Sequence, residues 1–422
     1  MARLSWPTRA LVILLGILSA LVLVIYSWKI GRNPDYTDFW VYHRAGLRLL
    51  EGDYSHLYDF RLDGKSPYRY APPTLALWLP WALLPRGISQ VLWFYFNYVA
   101  YALGFRALYR SLRSGAIEPD RALRITVFSA LFVLRFCLDS FTIGQVTGVM
   151  FWCGMEALRT LLQSAETLTG VWLAIPTAFK LGPGLLYFSP PWLSTRAAWR
   201  KRIGGAIAPA LGLTALLTLW MLARPATESS TQIAAPSSLA AATGSAWPAF
   251  AQVWRDWVLM LTHNADYFDT AHYGSQSLQS ALMRAANAQG GSREGWMRAW
   301  EFGAALGVAA VVLAFARPRN RSALGLGRTF CAGWLAYLLF MPFTFKYSMP
   351  FLAAPLAFAL AGPLSVKRVA WIGLGALTLS LAGLDIIGPS AFFWLQTHSV
   401  PLVWMLGFAA FYAADLLQPA TN

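Results

Sequence analysis

The segment 35–73 is the part of this chain best equipped for chemistry, because it combines two carboxylates with many aromatic and basic side chains. A carboxylate can take the proton of an attacking hydroxyl as a general base. Cations bind phosphate groups through charge-assisted hydrogen bonds, and aromatic rings can stack against a sugar. The combination predicts a site for a sugar carried on a phosphate.

The candidate site residues lie in segments that we predict to meet on one face of a membrane. In chain order they are Asp35, Asp38, Tyr42, Arg44, Tyr70, Gln145, Lys180, His272, Gln276, Arg284, Lys346 and Tyr347. We predict that Asp38 is the general base. Lys180, Arg284 and Lys346 are the predicted contacts of the donor phosphate, and the others are predicted to contact the substrates.

Several of these residues also have a purely structural interpretation. Asp38 precedes an apolar run and, like Asp35, could cap a helix, because Asp is a favoured N-cap residue. Lys180 could extend its ammonium group to the membrane interface. Gln145 could simply begin a helix, and Arg284 could lie on a solvated helix face.

Two further groups of polar residues are better explained by a structural role than by catalysis or metal binding. Arg135 and Asp139 are four residues apart, which puts them on one face of a helix and favours an internal ion pair. His263 and His272 suggest a metal, but no third ligand follows at a suitable spacing. The three cysteines lie in apolar runs without a zinc-like or disulfide-like spacing. We therefore predict no metal and no cofactor.

Composition predicts an all-α polytopic membrane protein. Of its 422 residues 57% are hydrophobic and 13% are charged, and the mean hydropathy is +0.47, whereas soluble domains have about 25% charged residues. The net charge of +15 comes from basic residues in short loops, as the positive-inside rule requires. We therefore expect the lipid bilayer, and not nucleic acid, as the partner, and the inner (plasma) membrane as the location.

The apolar runs predict about twelve spans in a single domain, 1–422. They are about 8–28, 91–109, 125–141, 147–162, two short spans within 169–193, 203–223, 299–316, 328–343, 348–362, 367–387 and 400–416. Basic residues before the first span predict a cytoplasmic N-terminus, so 29–90 and 224–298 become outer loops with juxtamembrane helices. We predict that 71–85 is too short to cross, and that 169–193 turns back at 179–183.

A series of motifs also occurs in the order found in a known enzyme family. They are DFWVYHRAG (38–46), LEG (50–52), LYD (57–59), YAPP (70–73), GQVT (144–147), FKLGP (179–183) and SQSL (275–278). In these motifs the chain resembles glycosyltransferase family 87, whose members are polyprenyl-phosphate-sugar-dependent mannosyl- and arabinofuranosyltransferases with a membrane-embedded GT-C fold. The first motif is fairly specific, and the later ones are persuasive only in their order.

The resemblance implies a GT-C-like bundle in which Asp38 is the catalytic carboxylate. An acceptor hydroxyl would attack C1 of a β-linked phosphosugar and give an α-linked product, while polyprenyl phosphate leaves without a nucleotide or a required metal. The expected sugar is mannose, and the expected acceptor is a glycan or glycolipid on the extracytoplasmic side. Relatives carry a histidine near 343–347, where this chain offers Lys346 for a phosphate contact.

The sequence leaves two other functions open. A transporter or flippase of a lipid-linked sugar would place ionisable groups near the midplane, on broken helices of repeated halves. Here those groups gather in predicted outer loops, which favours the enzyme. A protein that only binds a lipid-linked sugar is the third possibility, and the presence of Asp38 argues against it.

Overall fold

The computed structural model describes residues 5–32, 37–59, 68–180, 196–223, 246–267, 275–289, 293–316, 322–340, 346–380 and 384–417. Asp35 and His272 lie outside these ranges, and so do residues 181–195 and 224–245. Every regular element within the ranges is helical. The predicted all-α class is therefore confirmed for this part of the chain.

The described ranges contain a series of α-helices. They are α1 Trp6–Arg32, α2 Thr37–Glu51, α3 Leu79–Ala82, α4 Arg86–Ser114, α5 Pro119–Ile143, α6 Thr147–Leu162, α7 Glu166–Phe179, α8 Arg196–Ala223, α9 Ala246–Tyr267, α10 Leu278–Gln289, α11 Arg293–Ala316, α12 Ala323–Phe340, α13 Ala353–Leu360, α14 Val366–Gly375, α15 Leu384–Thr397 and α16 Val400–Leu417. Three 3₁₀ segments, Tyr54–His56, Pro72–Trp78 and Lys346–Leu352, and a π-helical turn, Ala376–Ser380, lie between them.

Four helices of the described ranges are long and apolar enough to cross a membrane, namely α1, α5, α8 and α12. The pair α15 and α16, bent by 57° at a short break, adds a fifth if it counts as one span. The protein therefore has several membrane-crossing helices, as the composition predicts. The figure of about twelve spans, the single domain and the two outer loops stay predictions.

The segment 71–85 does not form a spanning helix, which confirms the prediction. Pro72–Trp78 is a 3₁₀ segment, and α3 is a single turn. Together they fold back under α2, where a Cβ atom added to Gly46 would lie 2.8 Å from the Cβ of Ala82. Only glycine at position 46 lets α2 lie this close to α3. The last residue of the DFWVYHRAG motif therefore has a packing role.

The turn between α5 and α6 also agrees with the sequence. Gly144 ends α5 with a φ of 72°, a left-handed conformation that glycine adopts without strain. The indole Nε1 of Trp93 donates to the Gly144 carbonyl at 2.8 Å. This turn presents Gln145, which is buried, to the N-terminal end of α2.

The stretch 348–362, predicted as a spanning helix, has a different structure. It begins as a 3₁₀ segment, and α13 is an α-helix of eight residues. Pro350 and Pro355 lack the backbone N–H groups that a regular helix uses. Its residues are nearly all buried, as expected for a helix that is apolar all round and lies in the interior.

Basic residues gather at the end of the bundle where α5 begins. Ser5 donates to Asp120 at 3.1 Å, and Arg121 donates to the carbonyl of Ala361 at 3.2 Å. Glu166 at the start of α7 pairs with the buried Arg202 of α8 at 2.5 Å. The opposite ends of α5 and α7, which carry Gln145 and Lys180, therefore lie at the other end of the bundle.

Candidate active site

The helix α2 presents Asp38 and Tyr42 on one face, because they are four residues apart. Phe39 beside them is fully buried and anchors the helix. The Tyr42 ring stacks on Trp78 with centroids 4.5 Å apart, and its hydroxyl lies 2.7 Å from that of Tyr70. The aromatic contacts fix the orientation of the helix and so the direction of the Asp38 side chain.

A chain of hydrogen bonds leads to the Asp38 carboxylate. Tyr42 donates to Oε1 of Gln145 at 3.3 Å, and Nε2 of Gln145 donates to Oδ2 of Asp38. Because Tyr42 uses its proton for Gln145, the hydroxyl of Tyr70 is the donor in the Tyr42–Tyr70 bond. Each proton in the series thus points toward the carboxylate, an arrangement in which successive hydrogen bonds polarise one another.

Burial and two cations set the electrostatics of this carboxylate. Burial raises the pKa of Asp38 to about 6, and the charges of Arg69 and Lys180 act in the opposite direction. Burial lowers the pKa of Lys180 to about 8, which the Asp38 charge partly offsets. Burial also lowers the pKa of Arg69. The site therefore holds one carboxylate near two cations that are incompletely hydrated, which strengthens their attraction for an anion.

Lys180 reaches the site because α7 ends immediately before it. Its backbone leaves the helix in an extended conformation, and its N–H donates to the Pro176 carbonyl at 2.8 Å. Its Nζ lies 5.2 Å from the ring centroid of Tyr347, a cation–π distance. The predicted residues Asp38, Tyr42, Tyr70, Gln145, Lys180 and Tyr347 therefore meet in one site.

An apolar groove of about 590 Å³ begins beside this site. Five tryptophans line it, namely Trp78, Trp81, Trp93, Trp152 and Trp172. Phe179, which directly precedes Lys180, also lines it, as does Gly212 of α8. Lys180 thus follows a residue that lines the apolar groove. This arrangement suits a ligand that has a phosphate group and a hydrocarbon tail.

A second group of predicted residues lines a small cleft of about 20 Å³ that is separate from the groove. Lys346 and Gln276 line this cleft together with Arg135 and Asp139 of α5. Arg135 pairs with Asp139 at 3.4 Å, as the i,i+4 spacing predicts. Lys346 lies 3.9 Å from the other oxygen of the same carboxylate.

The model of glycosyltransferase family 87 matches residues 68–342, well over half of the chain. The chain belongs to glycosyltransferase family 87. It is therefore a membrane glycosyltransferase, and the transporter alternative has no support. No curated protein matches the chain. Because the matched range begins after Asp38, the role of that residue depends on its motif and on the geometry above.

Two predicted contacts of the glycosyltransferase lie away from Asp38. Arg44 extends over the Trp40 ring at 5.7 Å, on a different face of α2 from Asp38 and Tyr42. Arg284 donates to the Ser275 carbonyl at 3.0 Å and to the Ser399 hydroxyl at 2.6 Å. Their predicted substrate contacts stay predictions, as do those of Asp35 and His272, which lie outside the described residues.

Sequence analysis of this glycosyltransferase missed Arg69. Its carbonyl accepts a hydrogen bond from Trp257 of α9 at 3.2 Å, and Trp78 donates to the hydroxyl of the preceding Tyr68 at 2.9 Å. The position of Arg69 between Tyr68 and Tyr70, in the aromatic-rich segment 35–73, was the available signal. Among the residues that the structure describes, no three His, Cys, Asp or Glu side chains are grouped to hold a metal.

Proposed function

We propose that this glycosyltransferase moves a sugar, with mannose as the first candidate, from a polyprenyl-phosphate donor to a hydroxyl of a glycan or glycolipid acceptor. The reaction would take place at the extracytoplasmic face of the inner membrane. The observation that carries the proposal is the position of Asp38 close to Lys180 and Arg69, next to the tryptophan-lined groove.

The proposed type of donor is based on the position of two cations beside the apolar groove. Lys180 and Arg69 would bind the phosphate through charge-assisted hydrogen bonds. The polyprenyl tail would enter the groove, where the apolar area that it buries favours binding by about 25 cal/mol per Å². A nucleotide donor has no hydrocarbon tail and would leave the groove empty.

In the proposed reaction the acceptor hydroxyl attacks C1 of the sugar while Asp38 takes its proton. A new bond forms between C1 and the acceptor oxygen, and the bond between C1 and the phosphate oxygen breaks. Polyprenyl phosphate leaves with the bonding electron pair, and the two cations stabilise its growing negative charge. Attack opposite the leaving group inverts the configuration at C1.

The electrostatics of Asp38 support its role as the base. A pKa of about 6 leaves the carboxylate mostly ionised at neutral pH while making it a stronger base than an exposed aspartate. General bases work best when their pKa lies near the operating pH. The hydrogen bond from Gln145 holds one oxygen and leaves Oδ1 for the acceptor hydroxyl.

The distribution of charge supports the proposed orientation in the membrane. The short connection between α4 and α5 is flanked by Arg110, Arg113, Arg121 and Arg124, and short basic connections favour the cytoplasm. Asp38 and Lys180 lie at the other end of the bundle. Their end would then face the extracytoplasmic side, where lipid-linked sugars without nucleotides are the available donors.

The direct test is a donor screen with the purified protein in lipid nanodiscs. Polyprenyl-phosphate mannose, glucose and arabinofuranose, each radiolabelled, would be offered with a panel of octyl glycosides as acceptors. We expect transfer from one of the lipid donors and none from the matching nucleotide sugars. Transfer from a nucleotide sugar alone would contradict the proposal.

A further inference from the structure

Arginine side chains from three helices converge on the turn 360–363, between α13 and α14. Nη2 of Arg121, at the start of α5, donates to the first three carbonyl groups of this turn at 3.2–3.4 Å. Nη1 of Arg368 in α14 donates to its last carbonyl at 2.7 Å. The guanidinium of Arg328 in α12 packs against Gly362, where an added Cβ atom would overlap it. These three residues form the arginine cluster.

Two charges of the arginine cluster have no carboxylate partner among the residues that the structure describes. The acidic side chains at the start of α5 are engaged elsewhere, since Asp120 pairs with Arg124 at 3.2 Å and Glu118 caps α5. Arg121 has neutral carbonyl partners, and Nε and Nη2 of Arg328 are buried and donate to no described residue. Like charges repel one another, most strongly where water is excluded. An anion beside them would therefore stabilise this end of the bundle.

An exposed row of apolar side chains on α14 begins beside the arginine cluster. Val366 is 87% exposed and Val369 is 53% exposed, and Leu377 in the following π-helical turn is 63% exposed. Spacings of three and eleven residues put these side chains on one face of the helix. In a membrane protein such a face contacts lipid acyl chains, which are as apolar as leucine. The arginine cluster and the apolar row thus form one continuous surface.

This surface matches the two parts of an anionic phospholipid. A guanidinium group binds phosphate through paired hydrogen bonds. Nη2 of Arg121 makes all of its carbonyl contacts, so its Nε and Nη1 remain for a phosphate. The positive-inside rule requires cations near the membrane surface, but it does not require guanidinium groups from three helices to meet on one turn. Basic pockets between membrane helices bind anionic headgroups in other proteins, and a soluble anion would leave the apolar row without a role.

We propose that the arginine cluster and the apolar row bind one anionic phospholipid. Its phosphate lies on Arg121 and Arg368, and one acyl chain lies along α14. Arg328 adds its charge from behind the turn, where screening by water is weak. The site lies at the start of α5, whereas Gln145 and the Asp38 site lie beyond the other end of that helix. The bound lipid is therefore a structural ligand, and its binding does not depend on the proposed function.

The test measures which phospholipid the delipidated full-length protein retains. The protein in a neutral detergent is incubated with equal amounts of phosphatidylglycerol and phosphatidylcholine that carry the same acyl chains, and the bound lipids are counted by native mass spectrometry. The wild-type protein should prefer phosphatidylglycerol. Arg121→Gln should lower that preference about fivefold, since one cation near an anionic headgroup contributes about 1 kcal/mol. Arg200→Gln is the matched control, because Arg200 is exposed at the start of α8, at the same end of the bundle, and its preference should stay at the wild-type value.

A second variant and a soluble headgroup complete the test. Arg368→Gln should also lower the preference about fivefold, and it serves if Arg121→Gln loses its monodisperse gel-filtration peak. Phosphatidylglycerol should raise the Tm of the wild-type protein in phosphatidylcholine nanodiscs, whereas free glycerol phosphate should not, because it lacks the acyl chain that α14 contacts. Equal retention of the two lipids by the wild-type protein, or an unchanged preference in the folded arginine variants, would overturn the proposal. So would a Tm rise with glycerol phosphate as large as that with the lipid.

Discussion

Gln145 donates a hydrogen bond through its side-chain amide to Oδ2 of Asp38, which precedes it by 107 positions in the chain. The orientation of this amide is fixed, because its oxygen accepts from Tyr42 at 3.3 Å and its nitrogen is left for the carboxylate. Gly144 creates the turn that brings Gln145 to α2. We therefore regard Gln145 as a positioning residue for the proposed base.

Replacing Gln145 should change the pH dependence as well as the rate. A hydrogen bond to a carboxylate favours its charged form, so Gln145→Met should raise the pKa of Asp38 and shift the acidic side of the kcat/KM profile to higher pH. We expect kcat to fall about tenfold, as for a lost hydrogen bond to a charged group. Gln163→Met is the control, and a lower rate with an unshifted profile would contradict the positioning role.

The wild-type profile of kcat/KM against pH should be bell-shaped. Asp38 must be ionised to take a proton, so activity rises as the pH passes about 6. Lys180 must be charged to bind phosphate, so activity falls as the pH passes about 8. The profile of the free enzyme reports these two groups. If kcat/KM continued to rise well above pH 8, a charged Lys180 would not be needed for donor binding.

Removing the Lys180 ammonium should weaken donor use specifically. In Lys180→Met we expect the donor KM to rise roughly tenfold or more, because a charge-assisted hydrogen bond is lost, while the acceptor KM stays near wild type. The alkaline fall of the pH profile should also disappear. Lys201→Met, at the exposed start of α8, is the control. A change confined to the acceptor KM would contradict the phosphate contact.

A large side chain placed in the groove should weaken the use of donors with long tails more than the use of donors with short tails. Gly212 lines the groove, and nothing lies within 4 Å of the position that its Cβ would occupy, so Gly212→Trp should fold. The new side chain displaces part of a long tail, and each buried methylene contributes about 0.8 kcal/mol. We expect the KM of a decaprenyl donor to rise roughly tenfold or more, with a smaller change for a farnesyl donor.

The control for the groove variant lies on the same helix. Gly204 of α8 also has nothing within 4 Å of its Cβ position, and it does not line the groove. Gly204→Trp should leave both donors unaffected. Equal losses for the long and short donors in Gly212→Trp would mean that the tail binds elsewhere.

Helix ends and short non-spanning segments could be predicted from the sequence, because they depend on residues that are close together in the chain. The short proline-rich segment before α4 does not span, as predicted. The helices α5 and α6 correspond to the predicted runs 125–141 and 147–162, and α7 ends at Phe179, where the predicted turn 179–183 begins. Within 224–298, where the sequence predicts juxtamembrane helices, the structure has the helix α9. Glycine, proline and hydrophobic periodicity act over a few residues, so a single sequence shows their effects.

Contacts between distant segments could not be predicted in the same way. Lys346, whose contact with the donor phosphate stays a prediction, lies 3.9 Å from Asp139 of α5, a neighbour that the sequence did not indicate. Five tryptophans from the Pro72–Trp78 segment, α3, α4, α6 and α7 line one groove, and no spacing in the sequence indicated that they meet. Residue type indicates that a ring or a charge will be partly buried, and only the tertiary arrangement decides its partner.

The most direct test of the account is sugar transfer by Asp38→Asn, measured beside its donor Kd in nanodiscs. Asparagine keeps the shape of the side chain and can still accept from Gln145, so donor binding should be retained. Loss of the general base should lower kcat roughly 10²–10⁴-fold. Asp53→Asn is the control, a carboxylate of the same region that pairs with His56 at 2.7 Å, and it should transfer sugar at the wild-type rate. Near-normal turnover in Asp38→Asn would contradict the assignment of Asp38 as the base.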